Sequence, residues 1–343
     1  MIFQPVEKTA VTPGGAYSPR RYRFSLVTAV ATFILIIAGG LVTSQQAGDS
    51  VPDWPLNFGR IVPWEQLVGN VRFEYGHRVI AATVGLLTIL LNIVLWRDEP
   101  RRWVRQLGLL ALIAVVLQGL LGGVRVLLLE YRVPVAIIHA CLAQTFFSLI
   151  VGLTVFTSRA WFEMANALFE GNPKHEIRNP KRFESPPAGA DERIRFAATM
   201  GTAAVIAIFV QLLLGAAFRH GWLGIIPHLL GAVLVAILLG WTLLTILKHI
   251  PSIYLQRPAR WTLGLLVVQL ALGIAAYFAR VASYDDPQPL FYMVSLTVAH
   301  VAGGALTLAM AVVIVLRLYR IKIQASEASS QTSDVRNISW SDV

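Results

Sequence analysis

The 343-residue chain carries little charge and almost no cysteine. Charged residues make up 14% of it, hydrophobic residues make up 56%, and Cys141 is the single cysteine. Soluble domains typically have about 25% charged and 45–50% apolar residues, so this composition excludes a disordered or fibrous chain and argues against a soluble globular one. One cysteine excludes an internal disulfide and a cysteine-based zinc or iron–sulfur site. The composition therefore predicts a polytopic membrane protein.

Long apolar runs without charged residues divide the sequence. Each is about 18 residues or longer, which is enough to cross a bilayer as a helix. The predicted fold class is an all-α polytopic membrane protein with eight transmembrane helices. The first 23 residues are polar and the first run is long enough to span, so we expect no cleavable signal peptide. The predicted spans are 24–44, 75–96, 104–124, 136–157, 196–217, 228–247, 261–279 and 294–316.

The basic residues lie between these runs and are unevenly distributed. The net charge is +10, which in a soluble protein would suggest nucleic acid, but here it predicts membrane orientation. Of the 29 Lys and Arg residues, 22 fall on the side of the two termini and seven on the other side. We therefore expect both termini in the cytoplasm and no nucleic-acid partner.

The chain divides into two halves of four helices each. A segment that contains four prolines separates them and is the natural linker. The predicted parts are a cytoplasmic tail at 1–23, an amino-terminal half at 24–157, a cytoplasmic linker at 158–195, a carboxy-terminal half at 196–318 and a second cytoplasmic tail at 319–343.

A short motif recurs in successive helical hairpins and predicts that the halves are pseudosymmetric. A Gln and a Gly four residues apart lie late in one helix, an Arg follows near the outer surface, and a His opens the next helix. The first hairpin matches loosely, with Gly39-Gly40 and His77. Internal repeats of membrane proteins commonly place a site at the repeat interface. The three close copies are Gln118–Gly122 with Arg125 and His139, Gln211–Gly215 with Arg219 and His228, and Gln269–Gly273 with Arg280 and His300.

Four of the seven histidines occupy this repeat position, near the predicted outer face. For any one of them, a hydrogen bond between helices is the simpler interpretation. Four together favour a site, because polar rings are costly in hydrocarbon. Two imidazoles from facing helices form a natural axial clamp for haem iron, whereas no Asp, Glu or Cys pattern completes a tetrahedral zinc site. We therefore expect two haem-binding pairs.

Glu74 and three arginines accompany the histidines, and each has two interpretations. Glu74 lies three residues before His77 and so shares its helix face. It either stabilises the helix start or pairs with Arg78, or it transfers protons or stabilises an intermediate beside bound iron. The arginines either pair with haem propionates or reach toward the membrane interface. These arginines are Arg125, Arg219 and Arg280.

The first outer loop, at about residues 45–72, is long for a hairpin connection. It contains Val51-Pro-Asp-Trp-Pro-Leu-Asn-Phe-Gly59, which combines two prolines, an Asp and aromatic rings. Such a run favours an ordered cap over a cofactor pocket, and an aromatic anchor at the membrane interface is the alternative.

Together these residues resemble the haem A synthase family of cytochrome oxidase assembly. The resemblance rests on the Gly39-Gly40 helix, the Pro52-Asp-Trp-Pro55 loop, Glu74-Tyr-Gly-His-Arg78 and the three later histidines, and it covers about residues 24–318. Some bacterial members have a cysteine pair in the first outer loop, which this chain lacks.

The resemblance implies an enzyme that oxidises the C8 methyl group of haem O to a formyl group, giving haem A. It implies a haem b between His228 and His300, and the substrate haem O between His77 and His139. It also implies a catalytic role for Glu74. The expected setting is the cytoplasmic membrane of a prokaryote with haem sites near the outer face, membrane lipid as surroundings, and haem O synthase and oxidase assembly factors as partners. A homo-oligomer is compatible with it.

Two other classes of protein remain open at this point. A non-enzymatic bis-histidine cytochrome or haem carrier could use the same helices, but Glu74 beside only one of the four histidines favours an enzyme. A transporter with inverted repeats is disfavoured, because no span shows a clear mid-membrane break or a mid-helix acidic residue.

Overall fold

The computed structural model describes residues 16–166, 189–283 and 289–336. Within these residues the structure is helical, and the only strand-like pairing is a single bridge between Asn57 and Arg60. Among the residues that the structure describes, eight helices are long and apolar enough to cross a membrane, which confirms the predicted fold class and number of spans. The helices are α1 Pro19–Ser44, α2 Val71–Asp98, α3 Arg102–Leu127, α4 Arg132–Thr157, a short α5 Arg159–Asn166, α6 Ala190–Arg219, α7 Ile225–His249, α8 Ile253–Ala282 and α9 Phe291–Arg336.

The helices extend beyond the apolar runs that predicted them. α1 begins at Pro19, inside the predicted tail, and α8 begins at Ile253 instead of residue 261. α9 continues to Arg336, through most of the segment predicted as a polar tail. Arg, Lys, Glu and Gln are good helix formers, and their long side chains reach water from a helix end. The loss of an apolar pattern therefore marks where the bilayer ends, and the helix itself continues.

Two groups of four helices pack in the same order. α1 contacts α2 and α4, while α3 also contacts α2 and α4; α6, α7, α8 and α9 make the equivalent set of contacts. Each group has its own buried cluster, and a third cluster lies between the groups, where α1 and α4 meet α9. In a bilayer, helices associate through close packing of small residues more than through the hydrophobic effect. The buried alanines at these contacts fit that rule: Ala29, Ala111, Ala114, Ala197, Ala198, Ala204, Ala305 and Ala311.

A buried ionic network holds one end of the first group. Glu99 follows α2 and accepts hydrogen bonds from Arg21 of α1 at 2.6 Å and from Arg101 at 2.6 Å. Arg101 also donates to the carbonyl oxygen of Phe156, near the end of α4. This network joins α1, α4 and the α2–α3 turn. The opposite end carries the four repeated histidines, and we call it the histidine end.

Candidate functional site

Each repeated histidine packs against a glycine of the preceding long helix. The four glycines lie one or two turns before the ends of α1, α3, α6 and α8, and the histidines lie in the first three turns of α2, α4, α7 and α9. At Gly39, Gly215 and Gly273 a side chain would press on the ring, whereas at Gly122 a methyl group would only touch it. A methyl group built on each glycine would meet the imidazole Cε1 atom at 3.2 Å for Gly39 and His77, 3.7 Å for Gly122 and His139, 2.9 Å for Gly215 and His228, and 2.8 Å for Gly273 and His300.

His228 and His300 face each other at a spacing that suits one metal ion between them. Their ring centres are 6.2 Å apart and the ring planes cross at 83°. Two imidazoles that bind a metal from opposite sides, each through a bond of about 2 Å, have ring centres about 6 Å apart. The pair therefore fits the axial clamp of a haem.

His77 and His139 form the second pair, and their rings lack partners within the protein. The two are close enough to interact electrostatically, and Arg125 acts on both. Among the described residues, nothing hydrogen-bonds to the buried Nδ1 atom of either ring. Buried polar atoms are nearly always paired, so two unpartnered ring nitrogens at the histidine end mark a candidate site.

The glutamine of the repeat, to which we assigned no role from the sequence, contacts the histidine of the next helix. The amide nitrogen of Gln118 donates to the carbonyl oxygen of His139 at 2.9 Å, and Gln211 and Gln269 do the same to His228 and His300 at 2.9 and 3.0 Å. The constant four-residue spacing from glutamine to glycine is the sequence signal that could have revealed this contact. In the first hairpin, Leu35 takes the place of the glutamine, and its side chain cannot donate a hydrogen bond to the carbonyl oxygen of His77.

Glu74 is 4% exposed and both of its carboxylate oxygens are engaged. Oε2 accepts the backbone N–H groups of Ser50 and Val51 at 2.8 and 2.9 Å, and Oε1 accepts a bond from Arg78 at 2.7 Å. The pairing with Arg78 was one of the two interpretations of Glu74. The bonds to the outer loop were not foreseen, because Ser50 and Val51 are more than twenty residues away in sequence.

Arg78 holds the same loop through several carbonyl groups. It donates to the backbone oxygens of Asp53 at 2.8 Å and Leu56 at 3.0 Å, and to the side-chain oxygen of Asn57 at 3.2 Å. A guanidinium group has five N–H donors in a planar fork, which suits such multiple contacts. The Glu74–Arg78 motif and the proline-rich loop are therefore one structural unit.

The loop itself is ordered around Asp53. Burial alone would raise the pKa of Asp53, but the backbone N–H groups of Gly59 and Phe58 donate to its carboxylate and hold its pKa below the usual value. Trp54 packs on Gly123, where a methyl group would meet the indole ring at 2.6 Å. Gly123 adjoins the glycine that contacts His139, so the loop lies against the hairpin of that histidine, as expected for an ordered cap.

The three predicted arginines have different surroundings. Arg219 donates to the carbonyl oxygen of Gly40 at 2.9 Å and to the hydroxyl of Ser44 at 2.6 Å, so it joins the second group of helices to α1. Arg280 lies 5.3 Å from the centre of the Phe218 ring. Arg125 lies beneath Gly48 of the outer loop. All three are at the histidine end, and the Nη2 group of Arg219 is bonded within the protein.

The remaining histidines lie outside the two pairs. His220 follows α6; burial, together with Arg219 and Arg125, lowers its pKa to about 4, so it is neutral at pH 7. His249 lies at the opposite end, 3.4 Å from Arg193. His175 lies outside the described residues.

The site residues therefore define two paired-histidine centres at one end of an eight-helix membrane protein. The described residues contain no group of three or more His, Cys, Asp or Glu side chains that could hold a metal ion, so they form no tetrahedral zinc site. Opposed imidazole pairs in a helical bundle are typical of membrane haem proteins.

Comparisons with known proteins agree with this class. Residues 69–227 match the family model of the cytochrome oxidase assembly protein COX15-CtaA. The chain is 32% identical over 102 residues to a haem A synthase of Alkalihalophilus pseudofirmus, covering 29% of this chain and 34% of that protein. It is 30% identical over 156 residues to one of Exiguobacterium sp., covering 45% and 48%, and 32% identical over 144 residues to one of Brucella anthropi, covering 38% and 37%.

These matches agree with the resemblance drawn from the sequence: the middle part of the chain is similar to the COX15-CtaA family and to haem A synthases. The alignments span about a third to a half of the curated relatives. The segment matched by the family model includes Glu74, His77 and His139 and ends one residue before His228.

Proposed function

We propose that the chain is a haem A synthase, a membrane oxidoreductase that converts the C8 methyl group of haem O into the formyl group of haem A. The observation that carries this proposal is the presence of two paired-histidine centres, of which only one has an acidic side chain within one helical turn of a proposed ligand. Glu74 lies one turn from His77 on α2, and the other three histidines have no such neighbour within one turn on their helices.

The two centres have different surroundings, which supports different tasks. The rings of His228 and His300 each have a glutamine amide within hydrogen-bond distance of Nδ1, whereas those of His77 and His139 have no partner there. Rings held by the protein suit a permanent cofactor, and rings without partners suit a molecule that enters and leaves. We therefore assign a resident haem b to the carboxy-terminal half at 196–318 and the substrate haem O to the amino-terminal half at 24–157.

The residues around the substrate site position the reacting group and exclude water. When bound, haem b would supply one-electron transfer between the two centres. His77 and His139 bind and orient haem O, and the outer loop, held by Glu74 and Arg78, covers their hairpins. The Glu74 carboxylate is the acidic group nearest in sequence to a proposed ligand, and it moves protons or stabilises positive charge during oxidation of the methyl group.

The arginines at the histidine end supply positive charge for the haem propionates. Arg125 acts electrostatically on both histidines of the substrate site, and Arg280 lies beside Phe218, whose ring stacks on His228 at 6.5 Å. A guanidinium group binds a carboxylate through two parallel hydrogen bonds. We assign Arg125 to haem O and Arg280 to haem b, and Arg219 to the boundary between the two halves.

The setting of the reaction follows from the same proposal. The 22-to-7 distribution of basic residues supports a setting in which the histidine end lies at the outer face of a prokaryotic cytoplasmic membrane. The product serves terminal cytochrome oxidase, so haem O synthase and oxidase assembly factors are the expected partners. The second candidate function is a bis-histidine haem carrier. Such a carrier has no need of a carboxylate beside only one of the four histidines.

Replacing His77 or His139 by alanine separates the two centres. We expect haem A formation to fall by at least tenfold, because the substrate loses an axial ligand, while the haem b content and its low-spin spectrum stay close to those of the unchanged protein. The measurement is visible spectroscopy of purified protein together with chromatography of extracted haems. Loss of haem b as complete as in a His228→Ala variant would contradict the two-centre assignment.

The activity itself is tested by haem extraction from cells with and without the protein, supplied with haem O. Haem A that appears only when the protein is present supports an enzyme. A protein that binds haem but forms neither haem A nor an alcohol intermediate would be a carrier or a cytochrome instead.

A further inference from the structure

The side-chain amides of Gln211 and Gln269 contact both the backbone and the ring of a proposed haem b ligand. The amide nitrogen of Gln211 lies 2.9 Å from the carbonyl oxygen of His228, 3.0 Å from its Nδ1 atom and 3.4 Å from its Nε2 atom. The corresponding distances from Gln269 to His300 are 3.0 and 3.1 Å. Two separate hairpins therefore repeat the same arrangement.

A glycine one turn after each histidine makes room for the amide. A methyl group built on Gly231 would overlap Oε1 of Gln211, and one built on Gly303 would overlap Oε1 of Gln269. Both oxygens are buried and have no hydrogen-bond partner among the described residues. The structure thus places an unpaired acceptor beside each ring, which is uncommon for a buried amide.

Binding of metal supplies the partner that these oxygens lack. An imidazole that binds metal through Nε2 carries its hydrogen on Nδ1, and metal-bound histidines nearly always donate that hydrogen to a protein acceptor. An amide has one donor end and one acceptor end, which a half-turn of the group exchanges, and coordinates do not distinguish the two ends. Beside an iron-bound ring, the amide would turn Oε1 toward Nδ1–H and give up its bond to the carbonyl oxygen of the histidine.

We propose that Gln211 and Gln269 are positioning residues for the resident haem b, with the amide of each fixing the orientation and the tautomer of an axial imidazole. This proposal rests on the assignment of haem b to His228 and His300. Each glutamine acts through its histidine, and Gly231 and Gly303 provide the slot in which the amide sits.

The substrate centre lacks this arrangement. Gln118 reaches only the carbonyl oxygen of His139, and position 142, one turn after that histidine, is Leu instead of Gly. In the first hairpin, Leu35 takes the place of the glutamine. Glutamine contact with the ring is thus confined to the centre that keeps its haem, and the centre that must release its product has rings free of this restraint.

The test compares Gln211→Leu and Gly231→Ala in full-length protein purified with its haem. Loss of an outer partner of a metal ligand typically lowers metal affinity by about 10–100-fold. We therefore expect haem transfer to an apo-globin acceptor to become about 10–100-fold faster in both variants, with a changed electron paramagnetic resonance spectrum of the low-spin iron. The midpoint potential should rise, because an imidazole without an acceptor at Nδ1 donates less charge to iron.

Gly231→Ala separates positioning from stability. Alanine has a higher helix propensity than glycine, so this change does not weaken α7 itself, yet it displaces the amide of Gln211. Gly240→Ala is the matched control, because nothing lies within 4 Å of a methyl group at that position of the same helix. The double variant Gln211→Leu with Gly231→Ala should lose haem no faster than Gln211→Leu alone. Gln211→Glu keeps an acceptor and should restore slow haem loss.

The outcomes distinguish the two proposals. If Gln211→Leu and Gly231→Ala keep the haem loss rate, spectrum and potential of the unchanged protein, the glutamines are not positioning residues, although the haem b site stands. If the unchanged protein contains haem b that survives His228→Ala and His300→Ala, the site assignment itself is wrong. Faster haem loss in Gly240→Ala equal to that in Gly231→Ala would indicate a general effect on the helix and would also overturn the proposal.

Discussion

Replacing His228 or His300 by alanine should abolish the low-spin haem spectrum of the purified protein. The two rings lie 6.2 Å apart, each is backed by a glycine, and each has a glutamine amide at Nδ1. A low-spin bis-histidine haem needs both axial ligands, so removal of either leaves a five-coordinate iron or an empty site. We expect haem b content to fall by at least tenfold, or the remaining haem to become high-spin.

The measurement is the reduced-minus-oxidised visible spectrum, normalised to protein and read beside the chromatographic haem content. His249→Ala is a matched control, because His249 ends the same helix as His228 but lies at the opposite end of the molecule. It should keep the full low-spin signal. A normal low-spin spectrum in both His228→Ala and His300→Ala would show that these residues are not the ligands.

The number of membrane helices was predictable from the sequence, while their ends were not. A run of about 20 residues without charge has few alternatives to a membrane helix, because each backbone polar group must be paired within the segment. The ends depend on residues such as Arg257 and Arg260, which interrupt the apolar pattern but lie inside α8. Charged residues therefore indicate where the bilayer ends. The helix itself ends only at a capping residue or a turn.

The repeat predicted which histidines share a position, but the contacts that distinguish the two centres required the structure. These contacts join neighbouring helices. In one, a glycine packs against an imidazole ring; in the other, a glutamine amide packs against the glycine that follows the histidine. Their geometry depends on helix rotation, which composition does not encode. The sequence spacing reflects these contacts indirectly. A glutamine precedes a glycine by four residues in three hairpins, and a glycine follows His228 and His300 by three residues.

The spacing between Glu74 and His77 alone does not distinguish a structural role of Glu74 from a chemical one. Its position on the face of His77 was visible in the sequence, and its partner Arg78 is four residues away. The bonds to Ser50 and Val51 join residues 24 and 23 positions apart, and they depend on how the outer loop folds back over α2. No local sequence pattern predicts that the outer loop folds back over α2.

Replacing Glu74 by glutamine should block oxidation of the methyl group while haem b is retained. Glutamine keeps the shape but carries no negative charge, so it neither transfers protons as a carboxylate nor stabilises positive charge, tasks that are typically worth about 10²–10⁴-fold in rate. We therefore expect haem O or its alcohol to accumulate and haem A to fall by about 100-fold or more. The measurement is chromatography of haem O, the alcohol and haem A in membranes matched for protein level.

Loss of activity in Glu74→Gln has a second possible cause, which is a loosened outer loop, and the experiment must distinguish it from loss of the chemical role. Glu74 accepts two backbone N–H groups from the loop, and an amide accepts them less well, with a cost of about 1.5–3 kcal/mol for bonds to a charged group. Loosening of the loop alone could therefore lower activity. Asp53→Ala removes the acceptor of the Phe58 and Gly59 N–H groups and loosens the same loop without touching Glu74.

Trypsin cleavage after Arg60, an exposed residue of the loop, reports how well the loop is held in each variant. If Glu74 has a chemical role, Asp53→Ala should show faster cleavage and lose less than tenfold in haem A, whereas Glu74→Gln should lose far more activity at equal or slower cleavage. Equal losses of haem A in variants with equal cleavage rates would make Glu74 a residue that only holds the loop. Near-normal haem A in Glu74→Gln would exclude both roles, since neither the charge nor the full set of loop bonds would then be needed for the reaction.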